Sequence, residues 1–180
     1  ADRTLDHSAL DAEAESVAQS VRARLVPFLR EDDLSGPLAA GRWTELDRRI
    51  RDTALDDPDR VGTVLWNADG TVVYSTDPAA VGRRAHDADE LAEALTGRLM
   101  RETKPADETE IRLDRSGLRT VMEVYVPLRA AGTDRVIGVF EIYHDTAASD
   151  RRLDAARRAI LLVLLPGLAA VLLVLLTVVR

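Results

Sequence analysis

Residues 159–179 form a run of 21 without a single charge, mostly Leu, Val and Ala, interrupted only by Pro166-Gly167. At about 1.5 Å per residue, a helix of that length crosses a hydrocarbon core of roughly 30 Å. The preceding sequence is charge-rich and reads as a water-soluble fold. The 180 residues leave room for one globular domain plus the span. The expected organisation is a folded module over 1–145, a linker helix over 146–158 and a transmembrane helix over 159–179.

Charge narrows the function classes. The chain carries 24 basic against 31 acidic residues, a net charge of −7. Such acidity argues against a nucleic-acid partner, which needs a basic patch or stripe. Every basic residue is Arg except Lys104, a bias that fits a GC-rich bacterial genome. Without cysteine, disulfides, thiolate metal sites and cysteine nucleophiles are excluded. No signal peptide opens the chain, and it stops one residue after the apolar run. It is therefore expected to be a fragment of a longer protein, with material missing at both ends.

Leu10, Ala14, Val17, Val21, Leu25 and Phe28 recur every three or four residues, predicting a long amphipathic helix over about 6–30, bent near Pro27. Two readings stay open: a helix packed on its own domain, or one that also pairs with its twin in a homodimer. A shorter helix is expected over 41–55, with Trp43, Leu46, Ile50 and Ala54 on one side. Strand signals at 61–66 and 71–75 flank Asn67-Ala68-Asp69-Gly70, whose Asp-Gly suits a tight hairpin. A short helix is expected over 87–96, no firm pattern over 99–107, and a second hairpin from 109–114 and 118–128 around Arg115-Ser116-Gly117. A final strand covers 135–143. The order predicts an α+β fold, a five-stranded antiparallel sheet with a long N-terminal helix.

The stretch Val64-Leu65-Trp66-Asn67-Ala68-Asp69-Gly70-Thr71-Val72-Val73-Tyr74-Ser75-Thr76-Asp77-Pro78, followed by Val81-Gly82, resembles the first hairpin and following turn of PAS-like extracytoplasmic sensor domains of the Cache (PDC) type. Glu123-Val124-Tyr125-Val126-Pro127-Leu128 and Val136-Ile137-Gly138-Val139-Phe140-Glu141-Ile142-Tyr143 resemble their fourth and fifth strands. The wording is most similar to the sensor part of bacterial two-component sensor histidine kinases; diguanylate cyclases and chemoreceptors carry similar modules. The resemblance implies a PAS-like sheet between two membrane helices, a cytoplasmic signalling domain downstream of this chain, and no enzyme activity in this part. It also implies a ligand seat between the sheet and the segment joining strands two and three, here about 76–108.

The candidate ligand-binding set is Tyr74, Ser75, Arg119, Glu123, Tyr125, Glu141 and Tyr143, on strands beside that segment, together with Arg101 within it. Alternation places Glu123 with Tyr125, and Glu141 with Tyr143, on one face. An anionic ligand would use Arg101 or Arg119; an amine would use Glu123 or Glu141 with a tyrosine face. The competing reading makes the tyrosines core and the carboxylates partners of arginines. No catalytic residue, cofactor or metal set is expected. His7, His86 and His144 are scattered and read as solvated, and no G-x-S-x-G elbow or phosphate loop is present. The acidic groups Glu31-Asp32-Asp33, Asp52 with Asp56-Asp57-Asp59, and Asp87-Asp89-Glu90 lack calcium-loop spacing and read as solvated helix ends.

Arg151, Arg152, Arg157 and Arg158 precede the span and only Arg180 follows it, so the positive-inside rule taken literally places the module in the cytoplasm. Large domains cross largely regardless of charge, and a preceding helix would set orientation. The expectation is an extracytoplasmic module on a single-pass stretch of a two-pass cell-membrane protein. The competing class is a tail-anchored cytoplasmic interaction module.

Overall fold

The computed structural model describes residues 2–36, 38–85, 89–113 and 115–146. The chain divides into two compact units after Asp145, and the first, Ala1–Asp145, holds every named helix and strand. The expected linker beyond Thr146, the span at 159–179 with Pro166-Gly167, and His86 lie outside the described residues. Among the described residues, no helix is long and apolar enough to cross a membrane.

The architecture is α+β. Helix α1 (Asp2–Arg24) ends earlier than the periodicity predicts, because Pro27 sits in a 3₁₀ turn, Val26–Phe28, that closes it. A second 3₁₀ turn, Glu31–Leu34, leads to α2 (Ala40–Thr53). The sheet comprises β1 (Arg60–Asn67), β2 (Val72–Ser75), β3 (Met100–Pro105), β4 (Thr120–Arg129) and β5 (Val136–Asp145), with α3 (Asp89–Leu95) between β2 and β3. All pairings are antiparallel and the order is β2-β1-β5-β4-β3, so the last strand lies at the centre, beside the first.

The β1–β2 hairpin forms where expected. Asn67 Oδ1 accepts from the N–H groups of Asp69 and Thr71, and Gly70 takes φ +72°, which a side chain would resist. The third strand is not the expected one. Residues 109–113 form no strand; β3 is Met-Arg-Glu-Thr-Lys-Pro, a stretch with no firm pattern in the sequence. As an edge strand it is polar, carries Lys104 and ends in proline, all features that protect an edge and erase apolar alternation. The opposite edge is covered too: Val72 donates to Arg83 O, and Gly82 and Ala85 donate back to Val72 O and Gly70 O.

One face of the sheet is dry. Ala14, Val17, Ala18, Val21 and Leu25 of α1, with Leu46 and Ile50 of α2 and the following Ala54, bury against Leu65, Val73, Tyr74, Met122, Val124, Val126, Leu128, Phe140 and Ile142. The predicted seam of α1 is thus consumed within its own domain, and any twin would have to meet its outer, polar side, with Glu15 and Gln19. The helix connection is locked by a salt bridge. Arg42 Nε and Nη2 donate to Asp33 Oδ1 and Oδ2 at 2.8 and 2.6 Å, and Nη2 also reaches Phe28 O. Burial alone would raise the Asp33 carboxyl, but Arg42 and the Arg30 N–H hold it below the usual carboxylate value. Asp33 is therefore a buried structural partner and not a solvated helix end.

Candidate functional site

The other face of the same sheet is where the candidate residues meet. Register sets Glu123 of β4 opposite Tyr143 of β5, and Tyr125 opposite Glu141. Directly opposite residues share a face, so the two glutamates and two tyrosines form a checkerboard over the central strands. Val64 and Gly62 of β1 flank Glu141 and Tyr143, while Met100 and Glu102 of β3 flank Tyr125 and Glu123. The cover comes from Leu91 and Ala94 of α3, Ala80 and Ile111, all buried with Val64, Trp66, Val121 and Val139. At Gly62 a side-chain carbon would stand 3.0 Å from Ile111 Cδ1 and 3.2 Å from Leu113 Cδ2. The absence of a side chain there is what lets residues 109–113 lie close over the sheet, the role they take instead of forming a strand.

Both glutamates are 0% exposed. Glu123 Oε2 receives Lys104 Nζ at 2.8 Å and the Tyr125 hydroxyl at 2.7 Å. Glu141 Oε2 receives Trp66 Nε1 at 2.6 Å. These donors converge on the Oε2 atoms; Oε1 of each glutamate is buried without a hydrogen-bond partner. The Tyr143 hydroxyl is near enough to Glu141 for the two to influence each other's ionisation, yet closes no hydrogen bond of good geometry. Glu102 and Glu123 face each other across β3 and β4, a like-charge pairing that Lys104 relieves from 3.8 Å and 2.8 Å respectively.

The electrostatics arise from this crowding. Burial, then the Glu123 charge, pushes the Glu141 carboxyl up to about 8, against the pull of the nearby Tyr143 hydroxyl and the bond from Trp66. The site therefore favours the protonated form of Glu141 far more than water does. Burial also raises Glu123, opposed by Lys104 and Tyr125, and burial raises Glu110. Lys104 is itself raised, because Glu123 outweighs the burial that would lower it. Beside this group lies a cavity of about 230 Å³ lined by Trp66, Val72, Ala80, Arg83, Arg84, Glu110 and Ile111. Trp66 links the two, with its indole N–H on Glu141 and its ring at the cavity wall.

Four of the eight candidate residues are thus brought together: Glu123, Tyr125, Glu141 and Tyr143. Ser75 shares their face, opposite Val64, but its hydroxyl accepts from the Asp77 N–H. Tyr74 points to the dry face, donates to Asp47 Oδ1 at 2.8 Å and packs near Trp43. Arg101 also points there and pairs with Asp11 of α1 at 2.6 Å. Arg119 precedes β4 with an exposed side chain. The arginine route for an anion through Arg101 or Arg119 has no geometry to support it. Sequence reasoning passes over Lys104, Trp66, Glu110, Arg83 and Arg84. A signal for Lys104 is nonetheless in view, since it is the one lysine in a chain that otherwise uses arginine.

A second cluster lies on the helix side, at the end of β5. His144 is 5% exposed, so the solvated reading fails for it. One atom each of Asp57, Asp59 and His144 lie within 4.8 Å of one another. The loop before β1 and the end of β5, far apart in sequence, are joined there by pairing of Arg60 with His144 and by Asp145 N–H donating to Asp59 O at 2.7 Å.

Compared with known protein families and with curated proteins, the sequence matches no family model and no individual protein.

Proposed function

We propose that this chain is the extracytoplasmic sensor module of a bacterial membrane-bound two-component sensor histidine kinase, PAS-like and of the Cache (PDC) type, followed by a transmembrane helix. The observation that carries the reading is the Glu123–Tyr143, Tyr125–Glu141 checkerboard. Polar atoms left without partners on a fully buried sheet face cost stability, on the order of 1–3 kcal/mol each, and a ligand that bonds to them recovers that cost. The group lies under the segment joining β2 to β3, where the sequence resemblance implies a ligand seat. Its chemistry favours a small molecule with hydrogen-bond donors, such as an amine, set against tyrosine faces.

Transmission rests on β5. It is hydrogen-bonded on both sides, carries Glu141 and Tyr143, and its sequence continues toward the apolar run. A ligand that draws the cover onto the sheet favours one of two arrangements of this strand and the chain beyond it. A homodimer meeting along the outer side of α1 would convert that shift into a change between protomers. The same module in a diguanylate cyclase or chemoreceptor would work identically at this level.

A thermal-shift screen of the full chain against small amines and other metabolites, with a chelator present, tests the seat. A saturable rise in melting temperature that Glu141→Gln and Glu123→Gln abolish supports it. A tight binder indifferent to both substitutions overturns it. Orientation is tested separately, by a reporter fused after Arg180 in the native context. Cytoplasmic reporter activity supports the sensor, and extracytoplasmic activity favours the tail-anchored module.

A further inference from the structure

We infer that Asp57, Asp59 and His144 form a binding site for a divalent first-row transition-metal cation, at the end of β5 and apart from the sheet-face group. Three elements converge there: the loop between α2 and β1, the C-terminal end of β5, and α1 through Glu13. His144 has 6% of its side chain exposed, and neither ring nitrogen closes a hydrogen bond of regular geometry. With Nδ1 facing the Glu13 carboxylate, the buried Nε2 lone pair is left in need of an acceptor. A metal ion is one.

The donor set decides the ion. One imidazole nitrogen with two carboxylates suits Zn²⁺ or Mn²⁺, whereas Mg²⁺ and Ca²⁺ prefer oxygen alone. Glu13 Oε1 lies 2.9 Å from His144 Nδ1. It takes the place of the outer carboxylate that commonly fixes a ligating histidine ring, or joins the shell as a fourth ligand. Ligand atoms that lie within 4.8 Å of one another need only small side-chain adjustment to reach bonds of about 2.0–2.2 Å to one ion. Asp57 is the residue that can move. It is half-buried, only one oxygen is held by the Asp59 N–H, and Arg60 Nε stands 4.0 Å from the other. Arg115 neighbours the site as well, bonding Asp145 Oδ2 at 3.1 Å and the Pro58 carbonyl, which keeps it off Asp57. A bound ion would tie α1, the loop and the central strand at one point.

The test is calorimetric titration of the full chain in detergent with ZnCl₂, MnCl₂ and MgCl₂. One Zn²⁺ per chain is expected, competed by Mn²⁺ and not by Mg²⁺, with affinity falling at least about tenfold in His144→Gln and in Asp57→Asn. Asp57 is partly solvent-facing, so its variant keeps the test valid if His144→Gln does not fold. Absence of saturable Zn²⁺ binding overturns the site, and so does binding that Asp57→Asn leaves unchanged.

Discussion

The two faces of this sheet are built from alternate residues of the same strands, yet they obey opposite rules. Toward α1 and α2, β4 and β5 present Met122, Val124, Val126, Phe140 and Ile142, a core in which each side chain adds roughly 1.5–3 kcal/mol by burial. Toward the cover they present Glu123, Tyr125, Glu141 and Tyr143, buried as deeply but bonded only in part. Equal burial with unequal satisfaction separates the face that holds the domain together from the face with hydrogen-bonding capacity left over. Buried carboxyls contribute little to stability compared with apolar residues of similar size. Their concentration on one face, under one cover, is difficult to account for by folding alone.

Substitutions at matched depth break or sharpen this contrast. The largest effect is expected on the dry face. Phe140→Ala should cost about 3–5 kcal/mol in urea denaturation, whereas its neighbour's Glu141→Gln should be neutral or stabilising near pH 8. If Glu141→Gln costs as much as Phe140→Ala, the division between faces fails. Next comes Lys104→Met, which strips Glu123 of its cation. The loss should be about 2 kcal/mol at neutral pH, below the 3–5 kcal/mol of a fully trapped charge because Glu123 can take up a proton. Adding Glu123→Gln should recover most of it, a coupling read from the double-mutant cycle.

The pH profile offers a finer test. Glu141 rises from an ordinary 4.5 to about 8 in the fold, so the folded state binds its proton more tightly than the unfolded chain does. The resulting stability is full below pH 4.5 and is lost as pH climbs toward 8, at no more than about 1.4 kcal/mol per unit. Glu141→Gln should flatten that slope. Asp33, held below its ordinary 3.8, acts in the opposite sense and loses its contribution only as pH falls below that value. The smallest effect belongs to Arg119→Ala, expected within about 0.5 kcal/mol and without influence on any ligand, since its side chain is exposed.

Much of the fold is legible where local chemistry is strong. The Asn67–Gly70 turn announces its hairpin, and alternation along 120–129 and 136–145 declares two half-apolar strands. The same alternation places Glu123 with Tyr125 and Glu141 with Tyr143, and fails only to say which of the remaining residues join them. Tyr74 lies on a strand as expected and Arg101 on one that was not, both with the parity of the helix side. The edge strand 100–105 stays hidden because an edge needs no apolar pattern, while Ile111 and Leu113 imitate one in a covering loop. Asp57, Asp59 and His144 are invisible as a group, since only the pairing of β1 with β5 makes them neighbours.

Gly62 gives the covering loop a vulnerability that a few atoms can exploit. A methyl group added there meets Ile111 and Leu113 at 3.0 and 3.2 Å, so both must yield by tenths of an ångström. Because Gly62 stands opposite Tyr143, the wedge would lodge beside the acidic quartet without altering any member of it. Gly62→Ala is thus a way to press on the covering loop from beneath while every side chain of the quartet keeps its identity.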